Sequence, residues 1–598
     1  MKNPFINPTP SVVSEKAITR SILHSTKSHG SYYLFDLIDS AVWLLCEDPS
    51  LHEVEIVLHP VGGFYTPQTI FKGLKQLIQR FFRPPNVLYG ALRRRLGYLN
   101  EAQPYVEKLK AGTKEAFVGK TEAIFAQVYR GTHPVILKTQ IGEIIIHRSG
   151  RRLISSLMDG ALTYLTARRL WQSCHEKGIL QAQRLLHLEY RGVIIGDLLA
   201  STALRQYPQA GGSLHSCPGL WSMLLNAVAI CDYIAINIPN DSKNLYVTIP
   251  EPTYLNSIYS RLLHKNGACV LTRHHYAKDF VLISSLEELY NPKVVQTKKI
   301  APLSDEDIFR ANNYLRERVE LPNKHLWYMI QGVNCTDDQL LDLKGNLIEI
   351  KEVGLCAVVF LHAFDDAQYG LGVDGFDDLY HWTIFTIDQL IDNPNVTKIY
   401  IKPHPNTDFI RYKGDKVAFK RLCDRYDGCK KINWLQRDCS LKAIAKLGRV
   451  VGVTHHGSVA EELTYLGIPV IGTTFARWGT VFSFVHLWRS PSEYEKLLKS
   501  LSYENWVAPS TEMIDNLLGY VLEYRLNISS PGSRQTWIRF GQWADGVTPK
   551  LDAETFGYHC RRLARLSPDD AMTAGFIEWL ISDRIAVKSN NYLKSDSE

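Results

Sequence analysis

Residues 449–474 read RVVGVTHHGSVAEELTYLGIPVIGTT, and the fold is decided by this stretch. The order is strand, tight loop, helix, strand. Residues 449–453 are a β-branched run with one Gly, and Thr454-His455-His456-Gly457 is the loop. Ser458 suits a helix N-cap, and Glu461 three residues on completes a capping box. Val459, Leu463 and Leu466 recur at helical spacing. Gly467 fits the position that ends such a helix, and 468–471 is the next buried strand. A strand that feeds a helix through a short Gly-Ser turn aims backbone N–H groups at an anion.

The same alternation extends outward. Upstream, CAVVFL at 356–361 has the apolar run of a buried parallel strand. A helix is expected at 383–391 and a strand at 398–401, which runs into Lys402-Pro403-His404-Pro405-Asn406. Helices at 417–426 and 440–447 flank a strand at 431–434. Further helices follow at 492–500 and 511–524. A polar stretch at 336–351 reads as a linker. Before it stands another alternating set: strands at 135–138, 144–147, 192–197, 233–238 and 268–271, with helices at 153–177, 220–231 and 254–265. Such alternation predicts parallel sheets covered by helices. Residues 1–30 read as a polar lead-in, 31–46 as a helix and 54–58 as a strand. The tail adds helices at 553–566 and 569–581. The expected division is an N-terminal extension packed on the first domain (1–100), two Rossmann-like domains (101–340 and 341–545) and C-terminal helices (546–598).

The 598 residues exceed one core. A hydrophobic content of 45% and a charged content of 22% are those of a soluble globular chain. A net charge of +7 without a long Lys/Arg block suits phosphorylated ligands and speaks against nucleic acid. The eleven Cys contain no CxxC pair, so reduced thiols and a cytoplasmic location are expected. Neither a signal peptide nor a transmembrane run is read from the sequence. The basic amphipathic segment 70–83 (IFKGLKQLIQRFFR) can rest on the inner membrane's cytoplasmic face; a helix packed on its own domain is the alternative.

Two clusters stand out at the carboxyl ends of expected strands, the edge where open α/β sheets bind ligands. Lys402, His404 and Asn406 form the first, in a loop stiffened by Pro403 and Pro405. Thr454, Gly457, Ser458 and Glu462 form the second, where Gly457 admits a close backbone approach and Glu462 can accept from ribose hydroxyls. Arg477 follows the final strand and could reach phosphates. His455 and His456 could form a proton relay or a turn pair held by backbone contacts.

KPHPN followed by THHGSVAEELTYLGIPVIGTT resembles the nucleotide-sugar site of GT-B glycosyltransferases that build bacterial capsule and O-antigen-like polysaccharides, including Kdo and sialic acid transferases with a His-Pro motif. It is similar, more distantly, to UDP-N-acetylglucosamine 2-epimerase. Where the epimerase has Asp-Ser-Gly-Gly, this chain has His455-His456-Gly457-Ser458. The resemblance covers about 356–475, and FLHAFDD and YRGVIIGDLLASTALR extend it to about 190. It implies a GT-B fold of two Rossmann-like domains facing a cleft, with extra helices at both termini. It also implies nucleotide binding by His404, Ser458 and Glu462.

Glycosyl transfer with inversion needs a base for the acceptor hydroxyl. Asp365, Asp366 and His362 after the strand at 356–361 are candidates, with Asp197 from the opposite wall. Turn chemistry or N-capping is the competing role for each Asp. Asp374, Asp377 and Asp378 add carboxylates that could hold a metal, but the resemblance implies no catalytic metal and no cofactor. The expected partners are a nucleotide-sugar donor, CMP-Kdo-like or a UDP-sugar, and a glycan or lipid-linked glycan acceptor. A UDP-sugar 2-epimerase and a non-catalytic GT-B scaffold are the alternatives.

Overall fold

The computed structural model describes residues 16–22, 30–59, 134–148, 157–238, 245–249, 253–272, 280–290, 302–320, 339–349, 354–405, 407, 413–437, 439–476, 478–479, 481–526, 536–549, 555, 558–559, 562–563, 566 and 570–595. The basic segment 70–83 and most of the expected helix 553–566 lie outside them.

Two sheets organise the chain. The second is six-stranded and wholly parallel, in the spatial order Ile432–Trp434, Val396–Lys402, Leu355–Phe360, Val450–Val453, Val470–Thr473, His486–Trp488. Numbered along the chain, that order is 3-2-1-4-5-6, the doubly wound order whose direction of winding reverses between strands 1 and 4. Every residue of Leu355–Phe360 is buried, as its unbroken apolar run requires. The helix Val459–Tyr465 follows the fourth strand. Gly467, at φ +78°, ends it where an L side chain would be strained.

The first sheet has seven strands, in the order Val281–Ile283, Cys269–Thr272, Leu245–Ile249, Lys16–Ile22, Glu53–His59, Gly142–Arg148, Val135–Thr139. Its inner five are parallel and each edge strand is antiparallel. Its middle strand, Lys16–Ile22, comes from residues read in the sequence as a polar lead-in, and Glu53–His59 pairs beside it. KAITRSI carries too few apolar residues to announce a central strand.

Two other expectations are corrected. Residues 233–238, expected as a strand, mostly complete the helix Leu220–Asn237. β-Branched content misleads here, because Ile230 and Ile234 lie one helical turn apart and both are buried. That helix is long and apolar enough to cross a membrane, but 72% of it is buried inside the protein, where Leu224, Ala227 and Val228 are core residues. GVIIGD is a short hairpin, Glu189–Tyr190 with Val193–Ile194, and the helix Gly196–Gln206 begins where the strand was expected to end.

Three cores result. One joins helices of residues 157–290 to one face of the second sheet. Another covers the opposite face with the helices Asp305–Glu320 and Thr511–Val521. The third packs Gly30–Glu47 and the first sheet against Thr536–Asp545 and Ala571–Ser595. The tail therefore returns to the first sheet. There Arg539 and Arg584 donate to buried Asp39 at 3.1 and 2.9 Å. Two doubly wound α/β sheets in one chain, with added helices, is the GT-B plan that the resemblance implies.

Candidate active site

The crevice of a doubly wound sheet opens where the winding reverses. In the second sheet that is between Leu355–Phe360 and Val450–Val453, whose following loops carry His362 to Asp366 and Thr454 to Ser458.

His362 ties these loops together. It is buried, and its Nε2 accepts the backbone N–H of His455 at 3.0 Å, with Thr454 Oγ1 3.2 Å away. Accepting through Nε2 places the proton of a neutral ring on Nδ1. Burial, with His404 adding to it, pushes its pKa down to about 3. The imidazole is thus neutral and committed to holding the loop, which removes it from the candidates for a base. Gly457 N–H in turn donates to Thr454 Oγ1 at 3.1 Å, and a Cβ on Gly457 would stand 2.6 Å from that oxygen. A side chain at 457 would force Thr454 to move.

The expected capping box is not formed. Ser458 has helical backbone angles and makes no side-chain cap bond; its hydroxyl instead accepts from Arg318 at 3.3 Å. Glu462 and Glu461 face Arg318 at 2.6 and 3.4 Å, and Arg525 also donates to Glu461, at 3.0 Å from its Nε. All four side chains are largely buried. Burial opposes the charge on Arg318, but Glu462 and Glu461 more than offset it, so its pKa is well above its ordinary value. Glu462 is therefore a buried partner of Arg318 through Oε1. The sequence does not show this, because Arg318 arrives on Asp305–Glu320, which packs Ala311 and Leu315 against the second sheet.

The Lys402-Pro403-His404 loop follows the neighbouring strand. Lys402 is buried, and its Nζ donates to the carbonyl of Arg437 at 2.5 Å. His404 is half-buried, and its carbonyl accepts from Thr407 N–H and Oγ1 at 2.9 and 2.7 Å. Burial pushes its pKa down to about 4; Asp366 opposes that and Lys402 reinforces it. At neutral pH its ring is uncharged, a hydrogen-bonding group. Asn406 and Arg477 lie outside the described residues.

A carboxyl group of three occupies the other side of the crevice, and Asp415 is the member that sequence reading missed. Asp415 Oδ1 accepts the N–H of Phe364 at 2.6 Å and of Asp365 at 3.3 Å. Asp365 Oδ2 accepts Gly414 N–H at 3.0 Å, and a Cβ on Gly414 would stand 2.8 Å from that oxygen. Burial pushes Asp365 up to about 6 against the pull of Arg205. Burial and the charge of Asp365 raise Asp415 further. The pair therefore retains a proton toward neutral pH.

Asp366 differs from both: its side chain is 38% exposed. It accepts from Tyr254 Oη at 3.0 Å and faces Arg205 Nη1 at 3.2 Å. Both partners come from residues N-terminal to the second sheet, so Asp366 stands where the two parts of the chain meet.

Three of the remaining acids have partners within the fold. Asp197 is clamped by both terminal nitrogens of Arg261 at 2.6 Å, which removes it as a rival base. Asp378 caps Leu379–Asp392 through His381 N–H at 2.8 Å and accepts Leu214 N–H at 2.9 Å. Asp377 pairs with His215 at 2.8 Å. Among the described residues no group of three or more His, Cys, Asp or Glu side chains could hold a metal ion.

No family model matches this chain, and no curated protein matches it. Among solved structures it is similar to an α,α-trehalose-phosphate synthase (UDP-forming) from Burkholderia vietnamiensis, with 10% identity over 92% of this chain and 98% of that one, at a TM-score of 0.27. The corresponding enzyme from Burkholderia xenovorans, in complex with glucose-6-phosphate, shows 11% identity over 66% of this chain and 86% of that one, at 0.22. The N-terminal domain of Candida albicans trehalose-6-phosphate phosphatase shows 10% identity over 94% and 99%, also at 0.22. Scores of this size carry no argument about activity; the fold rests on the chain's own strand order.

Proposed function

We propose that this protein is a glycosyltransferase that moves a sugar from a nucleotide-sugar donor to a growing surface polysaccharide or glycolipid acceptor at the cytoplasmic face of the membrane. The observation that carries this reading is the 3-2-1-4-5-6 parallel sheet with His404, Thr454, Gly457 and the Asp365–Asp366 pair on the loops at its carboxyl edge. The donor is CMP-Kdo-like or a UDP-sugar. It lies against the loops after Val396–Lys402 and Val450–Val453, and the acceptor enters from the side of Arg205 and Tyr254.

Asp366 is the base. It is the exposed member of the carboxyl group, and Arg205 and Tyr254 Oη hold it in place. It takes the proton of the acceptor hydroxyl while that oxygen bonds to the anomeric carbon. The bond from the anomeric carbon to the donor phosphate breaks, and its electron pair leaves with the phosphate. The half-buried ring of His404 donates a hydrogen bond to the nucleotide. The displacement inverts the anomeric centre and uses no metal.

The test is a thermal-shift screen of wild type and His404→Ala against CMP, CDP, UDP and GDP. The expected result is stabilisation by one nucleotide, lost in the variant. A wild type that responds to none of the four would overturn the reading. Turnover of a UDP-sugar without acceptor would replace transfer by epimerisation.

A further inference from the structure

His455 is fully buried in the crevice: its side chain is 0% exposed. Its ring stands edge-on to Trp382 and Trp488, with centroids 5.4 Å away in each case. A dry imidazole needs its polar atoms satisfied. Nδ1 lies 2.9 Å from Nδ1 of His456, and Nε2 lies 3.3 Å from Asp374 Oδ2, a charge contact outside hydrogen-bond geometry. Asp374 is itself buried and accepts from Thr473 Oγ1. Its backbone is held at φ +53°, a left-handed conformation that costs an aspartate energy. The backbone of His455 is pinned as well: its N–H donates to His362 and its carbonyl accepts Thr473 N–H at 3.0 Å. The line ends on His456, which is only half-buried.

The proton positions follow from the distances. Two nitrogens 2.9 Å apart need one hydrogen between them. The negative charge of Asp374 beside Nε2 favours the proton of His455 on that nitrogen, so Nδ1 of His455 is the acceptor. His456 then donates from Nδ1, and its Nε2 is the nitrogen that gains or loses a proton. When Nε2 is protonated, the positive charge is stabilised through His455 by Asp374, as in other carboxylate–imidazole lines. The titratable rings packed on His456 are His455 and His362, whose centroid is 4.4 Å away. Asp374 acts through His455, and His404 acts on His362. His362 is neutral, so it adds no competing charge.

We propose that Asp374, His455 and His456 form a relay that holds His456 as the positively charged contact for the phosphate of the departing nucleotide. The inference rests on the transferase reading and adds to it a cation on the donor side, where, among the described residues of the two loops, Lys402 is turned to the carbonyl of Arg437 and His404 is neutral. No bond to His456 forms or breaks. The electron pair of the cleaved bond goes to the phosphate oxygen, which His456 Nε2–H stabilises electrostatically. His456 touches the leaving group, and Asp374 and His455 are positioning residues.

The test uses the full chain and two readouts. In the first, affinity for the nucleotide that stabilises wild type among CMP, CDP, UDP and GDP is measured for His456→Gln, Asp374→Asn and His456→Lys. His456→Gln and Asp374→Asn are each expected to weaken binding about tenfold, the loss of one charged hydrogen bond. His456→Lys supplies a charge that needs no relay, so adding Asp374→Asn to it should change nothing further. In the second, the titration of His456 is followed by NMR of ¹⁵N-histidine-labelled protein. Its midpoint should fall by about one pH unit in Asp374→Asn. Should that variant not fold, Thr473→Val, which removes the hydroxyl on Asp374, is expected to act in the same direction. A wild type that binds none of the four nucleotides would overturn the transferase reading, yet the midpoint would still decide the relay. An unmoved midpoint in both variants would overturn the relay even if nucleotide binds.

Discussion

Two groups of buried acids flank the same sheet edge, and they are balanced differently. Glu461 and Glu462 meet Arg318 and Arg525, two carboxylates against two guanidiniums, at distances of 2.6 to 3.4 Å for the Arg318 contacts. Asp365, Asp366 and Asp415 are three carboxyls, and among the described residues Arg205 is the cation within ion-pair distance of them. A balanced group serves the fold, although burial raises the pKa of Glu462 here as well. An under-compensated one must hold a proton or face solvent, and this group does both: Asp365 and Asp415 are raised by burial, while Asp366 is open. Groups of that kind do acid–base work. Charge balance, more than acidity or position in a loop, is what distinguishes the two groups of carboxylates here.

The comparison breaks first if the balanced group proves dispensable. Arg318→Ala leaves two buried carboxylates facing one guanidinium and should cost about 3–5 kcal/mol in urea unfolding; a loss under 1 kcal/mol would show that the network is not structural. Next, Asp366→Asn should lower transfer by about a hundredfold or more at nearly unchanged unfolding midpoint. Unaltered turnover would move the base elsewhere. Gly414→Ala drives a methyl against Asp365 and should destabilise by about 1–3 kcal/mol, whereas Gly428→Ala, where a Cβ meets nothing within 4 Å, would be strained only by its φ of +75°.

The smallest effect is the dependence on pH. Asp365 rises from 3.8 to about 6 on folding. The native state then binds the extra proton between those values, so this contribution is complete below about pH 4 and is lost as pH rises through about 6. His362 and His404, lowered on folding to about 3 and about 4, act in the opposite sense and lose stability as pH falls below their ordinary value near 6.5. Comparing wild type with Asp365→Asn at pH 4, 5, 6 and 7 isolates the carboxyl. The difference should shift by on the order of 1–3 kcal/mol against wild type across that range; a flat difference would mean that Asp365 does not hold the proton.

Much of the second half could be read in advance. Short, β-branched apolar runs such as LCAVVF are typical of buried parallel strands, and Gly467 marks a helix end because few other residues accept its backbone angles. The loops bearing His404 and Thr454–Ser458 are located by the same local signals. The first half was less legible. Lys16–Ile22 is a central strand whose polar composition hides it, and 233–238 has strand-like residues that a long buried helix absorbs. Local preference is weak against tertiary packing at both places.

What the sequence determined by itself is the α/β alternation, the strand-end loops and the residue types they carry, since these depend on periodicity and backbone preference within a few turns. What only the tertiary structure decided is the role of each charged side chain. Glu462 and Ser458 look like ligand contacts until Arg318 reaches them from 144 and 140 residues away. Asp197 looks like a base until Arg261 closes on it. Asp415 has no visible role until the start of the helix Lys413–Arg425 brings it to the backbone of Phe364 and Asp365. Whether a buried carboxylate is compensated depends on partners distant in the chain, and the electrostatic energy that decides it depends on separations in space.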